Sequence, residues 1–200
     1  MKALAALKTR LLDIVYPQNN LCLLCSWPLV GADAPLLCDD CREKLLALRL
    51  PPERRVMGYP PAGLDEARAV FPYAGEARAL VVALKYGDTR AAACCLAQFL
   101  AQDAAALSAE LIVPVPLHRR RLHQRGYNQS ALLGAELSTL LSVPMATDAL
   151  FRTRATHPQV GESREERLQN VRGAFVADAV RVRGRRVLLL DDVRTTGATA

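Results

Sequence analysis

The sequence predicts an α/β domain with a mainly parallel sheet and flanking helices, preceded by a small four-cysteine module. Three observations support this prediction. From about residue 64 onward, strand-like and helical apolar patterns alternate, which is typical of α/β domains. Two Cys-x-x-Cys pairs stand ahead of that region. The 200 residues are 51% hydrophobic and 23% charged, which suits one core with a small appendage and argues against disorder.

The amino-terminal segment predicts an amphipathic helix rather than a leader peptide. Its apolar residues fall on one helical face: Leu4, Leu7, Leu11 and Val15. Lys8 and Arg10 interrupt the apolar run where a signal peptide would need it. Nowhere is there an apolar span of about 20 residues. We therefore expect no membrane insertion and a cytoplasmic location.

Four of the six cysteines form the two pairs: Cys22, Cys25, Cys38 and Cys41. Each pair can turn two thiolates toward one point, and together they complete a tetrahedral zinc site. Two redox pairs or two disulfides are the alternatives, but a cytosolic setting disfavours disulfides. The pattern favours zinc, with a structural role because all four ligand positions are filled. Cys94 and Cys95 lie in an Ala/Leu-rich stretch and are expected to be small core residues.

Three units follow from these patterns. We expect residues 1–48 to form the amphipathic helix and the zinc-binding module, with a short helix at CREKLLALRL. Residues 49–63 are rich in proline and suit a linker. Residues 64–200 form the α/β domain. Its predicted elements, in order, are a strand at 67–73, helices at 76–88 and 89–107, a strand at 110–117, helices at 127–141 and 163–173, and a strand at 185–192.

The last predicted strand runs into VLLLDDVRTTGATA, where Asp191 and Asp192 would project beside the strand end. The following turn offers hydroxyls, backbone N–H groups and a helix terminus, which suit a phosphate: Thr195, Thr196, Gly197, Ala198 and Thr199. Carboxylates would repel phosphate, so they are better explained as acceptors for sugar hydroxyls with Mg²⁺ nearby. The pattern therefore indicates a ribose 5-phosphate. An acidic strand end followed by an ordinary helix cap is the alternative.

A second strand end, at residues 112–130, is predicted to continue as a basic loop. It presents clustered cationic side chains that could clamp a pyrophosphate: His118, Arg119, Arg121 and Arg125. Every basic residue in the second hundred is arginine, and the formal net charge is +6. A basic loop facing solvent or nucleic acid is the alternative interpretation. Its position at a strand end favours phosphate.

The order of motifs resembles a known family. The segment DDVRTTGAT resembles the motif with which type I phosphoribosyltransferases bind 5-phosphoribosyl 1-pyrophosphate (PRPP). LKYGD at 84–88, VPVPLHRRRLHQRGYNQS at 113–130, THPQ at 156–159 and ERLQNVRGAF at 166–175 resemble the ComF/GntX family. That family joins a four-cysteine zinc module to a phosphoribosyltransferase-type domain and is associated with competence, the uptake and handling of external DNA.

The resemblance implies a protein that binds PRPP or another phosphoribosyl compound with Mg²⁺. Asp191 and Asp192 would be the catalytic pair, residues 195–199 would bind the 5-phosphate, and the 118–125 segment would contact pyrophosphate. Transfer of the phosphoribosyl group to an unknown acceptor is one expected activity. A non-catalytic PRPP sensor, or a module binding single-stranded DNA or a competence-machinery protein, is the alternative. Aromatic residues are only 5%, which weakens the case for stacking on single strands.

Two further expectations concern the later part of the chain. The polar segment 152–167 could form a mobile cover, in which His157 is a surface histidine or a proton carrier. The family pattern continues past residue 200 through a helix and a strand. We therefore expect a shortened form whose 5-phosphate site is poorly ordered and whose PRPP affinity is low, because the helix supplying the dipole is missing.

Overall fold

The structure is a computed structural model that describes residues 21–29, 36–56, 63–87, 89–154 and 173–194. The helices within these ranges are α1 (Asp39–Ala47), α2 (Pro52–Arg55), α3 (Gly75–Tyr86), α4 (Thr89–Ala105), α5 (Arg119–Arg125), α6 (Gln129–Leu141) and α7 (Ala179–Val182). The strands are β1 (Leu111–Pro114), β2 (Leu150–Arg152), β3 (Phe175–Ala177) and β4 (Val187–Leu190). None of these helices is both long and apolar enough to cross a membrane.

The centre of the fold is a parallel strand pair. β1 and β4 pair in parallel, from Leu111 opposite Val187 to Pro114 opposite Leu190. All four residues of β1 are buried, as expected for a parallel strand covered by helices. A further parallel bridge joins Ile112 to Met145. The mixed α/β class and both of these predicted strands are confirmed.

Helix α6 packs closely on this strand pair because it carries a glycine where the sheet approaches. A Cβ added at Gly134 would stand 2.8 Å from the sulfur of Met145 and 3.6 Å from Cγ2 of Ile112. Its buried face carries the almost fully enclosed Leu133 and Leu137 and, in the first turn, the buried polar residues Gln129 and Ser130. This packing brings the amino terminus of α6 to the carboxyl ends of β1 and β4.

The four-cysteine module and the helical part of the domain share one hydrophobic cluster. Cys22, Cys41 and Leu45 belong to the same cluster of buried side chains as Leu80 and Leu84 of α3. Contacts between α1 and α3, and between α3 and α4, continue this packing. The predicted helices at 41–50, 76–88 and 89–107 are confirmed as α1, α3 and α4, with α1 beginning two residues earlier.

The predicted strand at 67–73 is wrong. Within that segment only Arg68 forms a bridge, to Val56, although Val70 is buried and its carbonyl accepts from the N–H of Leu50. Pro72 has no N–H to donate to a ladder, which limits regular pairing there. The run is therefore an irregular segment in which Val70 is buried and Pro72 and Tyr73 are exposed.

Residues 49–56 are tied to α4 by ion pairs. Arg49 Nη2 lies 3.0 Å from Oδ2 of Asp103, and Arg55 Nη1 lies 3.4 Å from its Oδ1. Asp103 is buried, so two cations compensate one carboxylate that water does not reach. The short helix α2 within this segment was not predicted.

Strands β2 and β3 pair antiparallel and were also not predicted, nor was α7. Each strand has three residues and each is half-exposed, so neither shows the apolar run of β1. The amphipathic helix predicted near the amino terminus and the helix predicted at 163–173 lie outside the described residues, apart from Gly173.

Candidate functional site

The carboxyl ends of β1 and β4 lie side by side. Pro114 stands opposite Leu190, and the N–H of Val115 donates to the carbonyl of Leu190 at 2.9 Å. The chain leaves β4 directly into Asp191 and Asp192. In parallel α/β sheets, ligands bind at this edge. We call the two aspartates the acidic pair.

Asp192 is held at both carboxylate oxygens. Lys85 Nζ, at the end of α3, lies 2.6 Å from Oδ2, and Gln129 Nε2, at the start of α6, donates to Oδ1 at 3.4 Å. The ion pair is largely removed from water, since the exposed fraction of the side chain is 20% for Lys85 and 6% for Asp192. A buried carboxylate with a buried cation against it is a stable charged arrangement only while both partners are present.

Asp191 has neutral partners instead. Ser130 Oγ donates to its Oδ1 at 3.2 Å, and the backbone N–H of Asp192 donates to the same oxygen at 2.9 Å. Burial, and then the neighbouring charge of Asp192, raise the pKa of Asp191 to about 7. This carboxyl group is therefore poised to exchange a proton, or to take up a cation, near neutral pH.

The basic segment after β1 is a helix, not the loop that was predicted. Nδ1 of His118 accepts from the N–H of Arg120 at 3.3 Å and so caps the amino terminus of α5. Arginine favours helices, and Gly126, at φ +82°, ends this one in the left-handed conformation that glycine adopts without strain. Arg119 and Arg121 are exposed, and Arg125 is half-buried.

Arg125 connects α5 to the acidic pair. Its Nη1 donates to Oε1 of Gln129 at 2.5 Å, and Gln129 in turn donates to Asp192. The guanidinium also lies over the ring of Tyr86, 5.2 Å from the centroid, an attractive cation–π geometry. One buried amide thus joins the basic segment to the carboxylates.

Arg152 on β2 is a cationic side chain on which the charges of Arg121 and Asp191 both act. Burial lowers the pKa of Arg152, the charge of Arg121 lowers it further, and the charge of Asp191 raises it. Arg152 therefore interacts electrostatically with the basic segment through Arg121 and with the acidic pair through Asp191. Its guanidinium lies 5.3 Å from the centroid of the Phe175 ring.

Several residues at this edge were missed from the sequence: Lys85, Tyr127, Asn128, Gln129, Ser130 and Arg152. Tyr127 Oη donates to the carbonyl of Lys85 at 2.6 Å, which fixes the end of α3. Asn128 caps α6 by accepting from the N–H of Ser130, and it donates to the carbonyl of Val115 at 3.0 Å. The available signal was a run of polar residues at the ends of two apolar helices, in LKYGD and YNQS.

Some predicted site residues cannot be placed beside the acidic pair. Residues 195–199, predicted to hold a phosphate, and His157 lie outside the described residues. The described contacts of His118 are those of a helix cap. Arg119 is exposed on α5.

The four cysteines of the amino-terminal pairs converge on one point. Their sulfurs all lie within 4.8 Å of one another, and Sγ of Cys25 is 3.6 Å from Sγ of Cys38. A tetrahedral zinc with Zn–S bonds of about 2.3 Å separates its sulfurs by about 3.8 Å. This cluster can therefore hold a metal such as zinc. Cys95 lies outside the cluster as a buried core residue, and burial raises its pKa to about 12.

Comparison with curated proteins identifies relatives named for competence and DNA utilization. The chain is 42% identical over 92 residues to Competence protein F of Haemophilus influenzae, which covers 45% of this chain and 40% of that protein. It is 33% identical over 189 residues to the DNA utilization protein YhgH of Escherichia coli strain K12, which covers 91% of this chain and 75% of YhgH. The chain belongs to the ComF family.

Other relatives extend the family match. The DNA utilization protein YhgH of Salmonella typhimurium is 32% identical over 192 residues, covering 92% of this chain and 76% of that relative. No family model and no solved structure matches the chain. The family indicated by the sequence motifs is thus confirmed by relatives that span most of the chain.

Proposed function

We propose that this chain binds PRPP, or a related phosphoribosyl compound, with Mg²⁺ at the edge formed by the carboxyl ends of β1 and β4. The observation that supports the proposal is the buried acidic pair directly after a parallel strand, linked through Gln129 to Arg125 of the arginine helix. Carboxylates suit ribose hydroxyls and Mg²⁺, and guanidinium groups suit pyrophosphate. Both kinds of group stand at the edge where α/β sheets bind ligands.

In the proposed complex, different groups of the protein contact different parts of PRPP. Asp191 meets the ribose, and Asp192 lies beside it as the second member of the acidic pair. Arg119, Arg121 and Arg125 of α5 meet the pyrophosphate, and residues 195–199 bind the 5-phosphate. Bound Mg²⁺ would neutralise charge on the pyrophosphate oxygens. If an acceptor attacks C1 of the ribose, the C1–O bond breaks and pyrophosphate leaves with its electron pair. Positioning and charge stabilisation would then supply most of the rate.

We further propose that the four-cysteine cluster holds a structural zinc ion. Two of its sulfurs, on Cys22 and Cys41, are buried in the hydrophobic cluster shared with α3. Four protein thiolates leave no ligand position open for a substrate, which is the arrangement of structural zinc sites. The metal would hold the amino-terminal module against the domain.

The proposed biological setting is the uptake or use of external DNA in the cytoplasm, with PRPP as ligand and a DNA strand or competence-machinery protein as partner. The names of both relatives refer to competence or DNA utilization. The second candidate function is a non-catalytic module that senses PRPP. The two candidates share the ligand site and differ in whether pyrophosphate is released.

The test is calorimetric titration of the chain with PRPP in the presence and absence of Mg²⁺. We expect Mg²⁺-dependent binding that Asp191→Asn weakens at least tenfold. Pyrophosphate release across a panel of bases and small amines separates the transferase from the sensor. Salt-dependent binding to single-stranded DNA tests the DNA partner separately. If PRPP fails to bind at millimolar concentration, with full-length YhgH as the reference, the proposed ligand is wrong.

A further inference from the structure

The geometry of the acidic pair points to a division of roles, and this inference rests on the proposed function. We propose that Asp192 is a positioning residue, locked by Lys85 and Gln129, and that Asp191 alone is the carboxylate that meets the ribose and its cation. Both aspartates were predicted from the sequence as one catalytic pair. The structure distinguishes them by their partners.

Asp192 has a partner at each of its oxygens, an ion pair at Oδ2 and a hydrogen bond at Oδ1. Lys85 holds Oδ2 and Gln129 holds Oδ1, and the side chain is 6% exposed. A ligand hydroxyl would have to reach a side chain that is 6% exposed and already contacted at both oxygens. Displacing Lys85 would leave a buried carboxylate without its cation, which is strongly unfavourable.

The orientation of Gln129 is fixed by the chemistry of its neighbours. A guanidinium can only donate hydrogen bonds and an ionised carboxylate can only accept them. Oε1 of Gln129 must therefore face Arg125 and Nε2 must face Asp192, as the contacts have it. Gln129 is 5% exposed, so water cannot readily replace Arg125 and Asp192 as hydrogen-bond partners of its amide. Gln129 therefore bridges Arg125 and Asp192, and its hydrogen bond positions Oδ1 of Asp192.

Lys85 is also fixed from behind. Tyr127 Oη donates to the carbonyl of Lys85 at 2.6 Å and to the carbonyl of Leu84 at 3.2 Å. These carbonyls belong to the last turn of α3, where the helix itself provides no donors. The backbone of Lys85 is consequently anchored to the segment between α5 and α6, and its ammonium group is directed into the fold.

Asp191 has a different arrangement. Both of its described hydrogen bonds, from Ser130 Oγ and from the N–H of Asp192, arrive at Oδ1. Among the described residues, none donates to its Oδ2. Asp191 can therefore receive a ligand hydroxyl or a cation without losing an ion pair.

The experiment compares three variants: Asp191→Asn, Lys85→Gln, and the double variant Lys85→Gln with Asp192→Asn. The double variant replaces the ion pair by two neutral amides that can still hydrogen-bond each other. The matched control is Lys44→Gln with Asp40→Asn, which neutralises an exposed ion pair on α1. Each protein is titrated with PRPP and Mg²⁺, and its Tm is measured without ligand.

We expect Lys85→Gln to lower Tm by roughly 5–15 °C, because it removes the cation that pairs with a carboxylate only 6% exposed. The double variant should recover most of that loss and bind PRPP within about threefold of the parent chain. Asp191→Asn should weaken binding at least tenfold, and the control should change neither quantity. If Asp192 bound the ligand directly, the double variant would not keep its affinity for PRPP. Recovery of Tm together with retained PRPP binding therefore supports a positioning role for Asp192.

The contrary outcomes are distinct. If the double variant recovers its Tm but binds PRPP as weakly as Asp191→Asn, then Asp192 contacts the ligand and the division of roles is overturned. If Lys85→Gln leaves Tm unchanged, the ion pair does not anchor Asp192 and the inference also fails. If the parent chain does not bind PRPP, the proposed function and the role of Asp191 fail together. The Tm series then still decides whether Lys85 anchors Asp192.

Discussion

The four-cysteine cluster and the acidic pair both crowd anionic or potentially anionic groups, but the protein compensates them in different ways. At the acidic pair the compensating groups belong to the chain, since Lys85, Gln129 and Ser130 all contact the carboxylates. At the cysteine cluster the nearest neighbours of each sulfur include the other sulfurs, all within 4.8 Å. The acidic pair can therefore keep its shape without a ligand, whereas we expect the cysteine cluster to need its metal.

The pKa values of the cysteines are consistent with this contrast. Burial acts to raise the pKa of Cys22, but N–H groups of Cys38, Cys25 and Leu24 outweigh it and lower that pKa to about 6. Burial and contacts with the other cysteines raise the pKa of Cys41. The backbone thus supports the thiolate of Cys22 but not that of Cys41, and a divalent metal is the usual means of stabilising clustered thiolates.

The largest expected effect comes from disabling the cysteine cluster. Cys38→Ser, or treatment with a strong chelator, should remove the zinc and cost several kcal/mol of stability, because structural zinc binding contributes about 10–16 kcal/mol in small zinc modules. The loss should extend to α3, since Cys22 and Cys41 share its hydrophobic cluster. Elemental analysis and urea unfolding measure the two effects.

Cys94→Ser is the matched control, because Cys94 lies on α4 outside the cluster and is half-buried. That variant should keep one zinc ion per chain and change stability little. Purified protein without zinc, or Cys38→Ser with unchanged metal content and stability, would show that the cysteine cluster holds its shape unaided. The contrast with the acidic pair would then disappear.

The second effect concerns the cationic side of the acidic edge. Arg125→Ala should weaken PRPP binding by about 1.5–3 kcal/mol, because it removes a charge-assisted contact, and weaken ribose 5-phosphate binding less. Calorimetry with both ligands measures the difference. Arg183→Ala, which removes an exposed arginine beyond α7, is the control and should affect neither ligand. Equal losses for the two ligands would place the pyrophosphate away from α5.

A third effect is the pH dependence of stability. Because the folded pKa of Asp191 is raised from 3.8 to about 7, the folded chain binds more protons than the unfolded chain between these values. The stabilising contribution is complete below about pH 4 and is lost as pH rises through about 7. The slope is at most about 1.4 kcal/mol per pH unit.

Besides burial, the groups acting on this titration are Asp192, whose carboxylate opposes ionisation, and the Asp192 N–H and Ser130 hydroxyl, whose hydrogen bonds favour it. Asp191→Asn should flatten the decline in urea-unfolding stability between pH 5 and 8. Saturating Mg²⁺ with PRPP should also reduce the decline, because a cation bound at Asp191 favours the ionised carboxylate and lowers its pKa. The same decline in Asp191→Asn as in the parent chain would assign the titration to another group. Burial would then raise the pKa of Asp191 less than the structure indicates.

The parts of the fold that were predictable from sequence are those with long local patterns. β1 and β4 were predicted because apolar runs of parallel strands are distinctive, and α3, α4 and α6 because their apolar residues repeat with helical spacing. α5 was missed because its arginines were interpreted only by charge, although His118 and Gly126 bracket it as caps. β2 and β3 have three residues each, too few for a periodic signal.

The candidate site shows the same limit. Asp191, Asp192 and Arg125 were predictable because they occur in strand-end motifs. The partners that distinguish the two aspartates were not, because Lys85 and Gln129 lie far from Asp192 in sequence and meet it only after α3 and α6 pack on the strands. Sequence patterns predict which chemical groups are present, while the pairing among them depends on tertiary packing.

The smallest expected effect separates the two supports of Lys85, its ion pair and its backbone anchor. Tyr127→Phe keeps the ring but removes the hydroxyl that donates to the carbonyls of Lys85 and Leu84. Because a typical intramolecular hydrogen bond contributes about 0.5–1.5 kcal/mol, urea unfolding should show a loss of that size. Tyr73→Phe is the control, since Tyr73 is exposed and contacts Arg78 through its ring. A loss for Tyr127→Phe accompanied by weaker PRPP binding would mean that the acidic pair depends on the α3 terminus being pinned. A neutral Tyr127→Phe, with Lys85→Gln still destabilising, would mean that the ion pair alone holds the edge together.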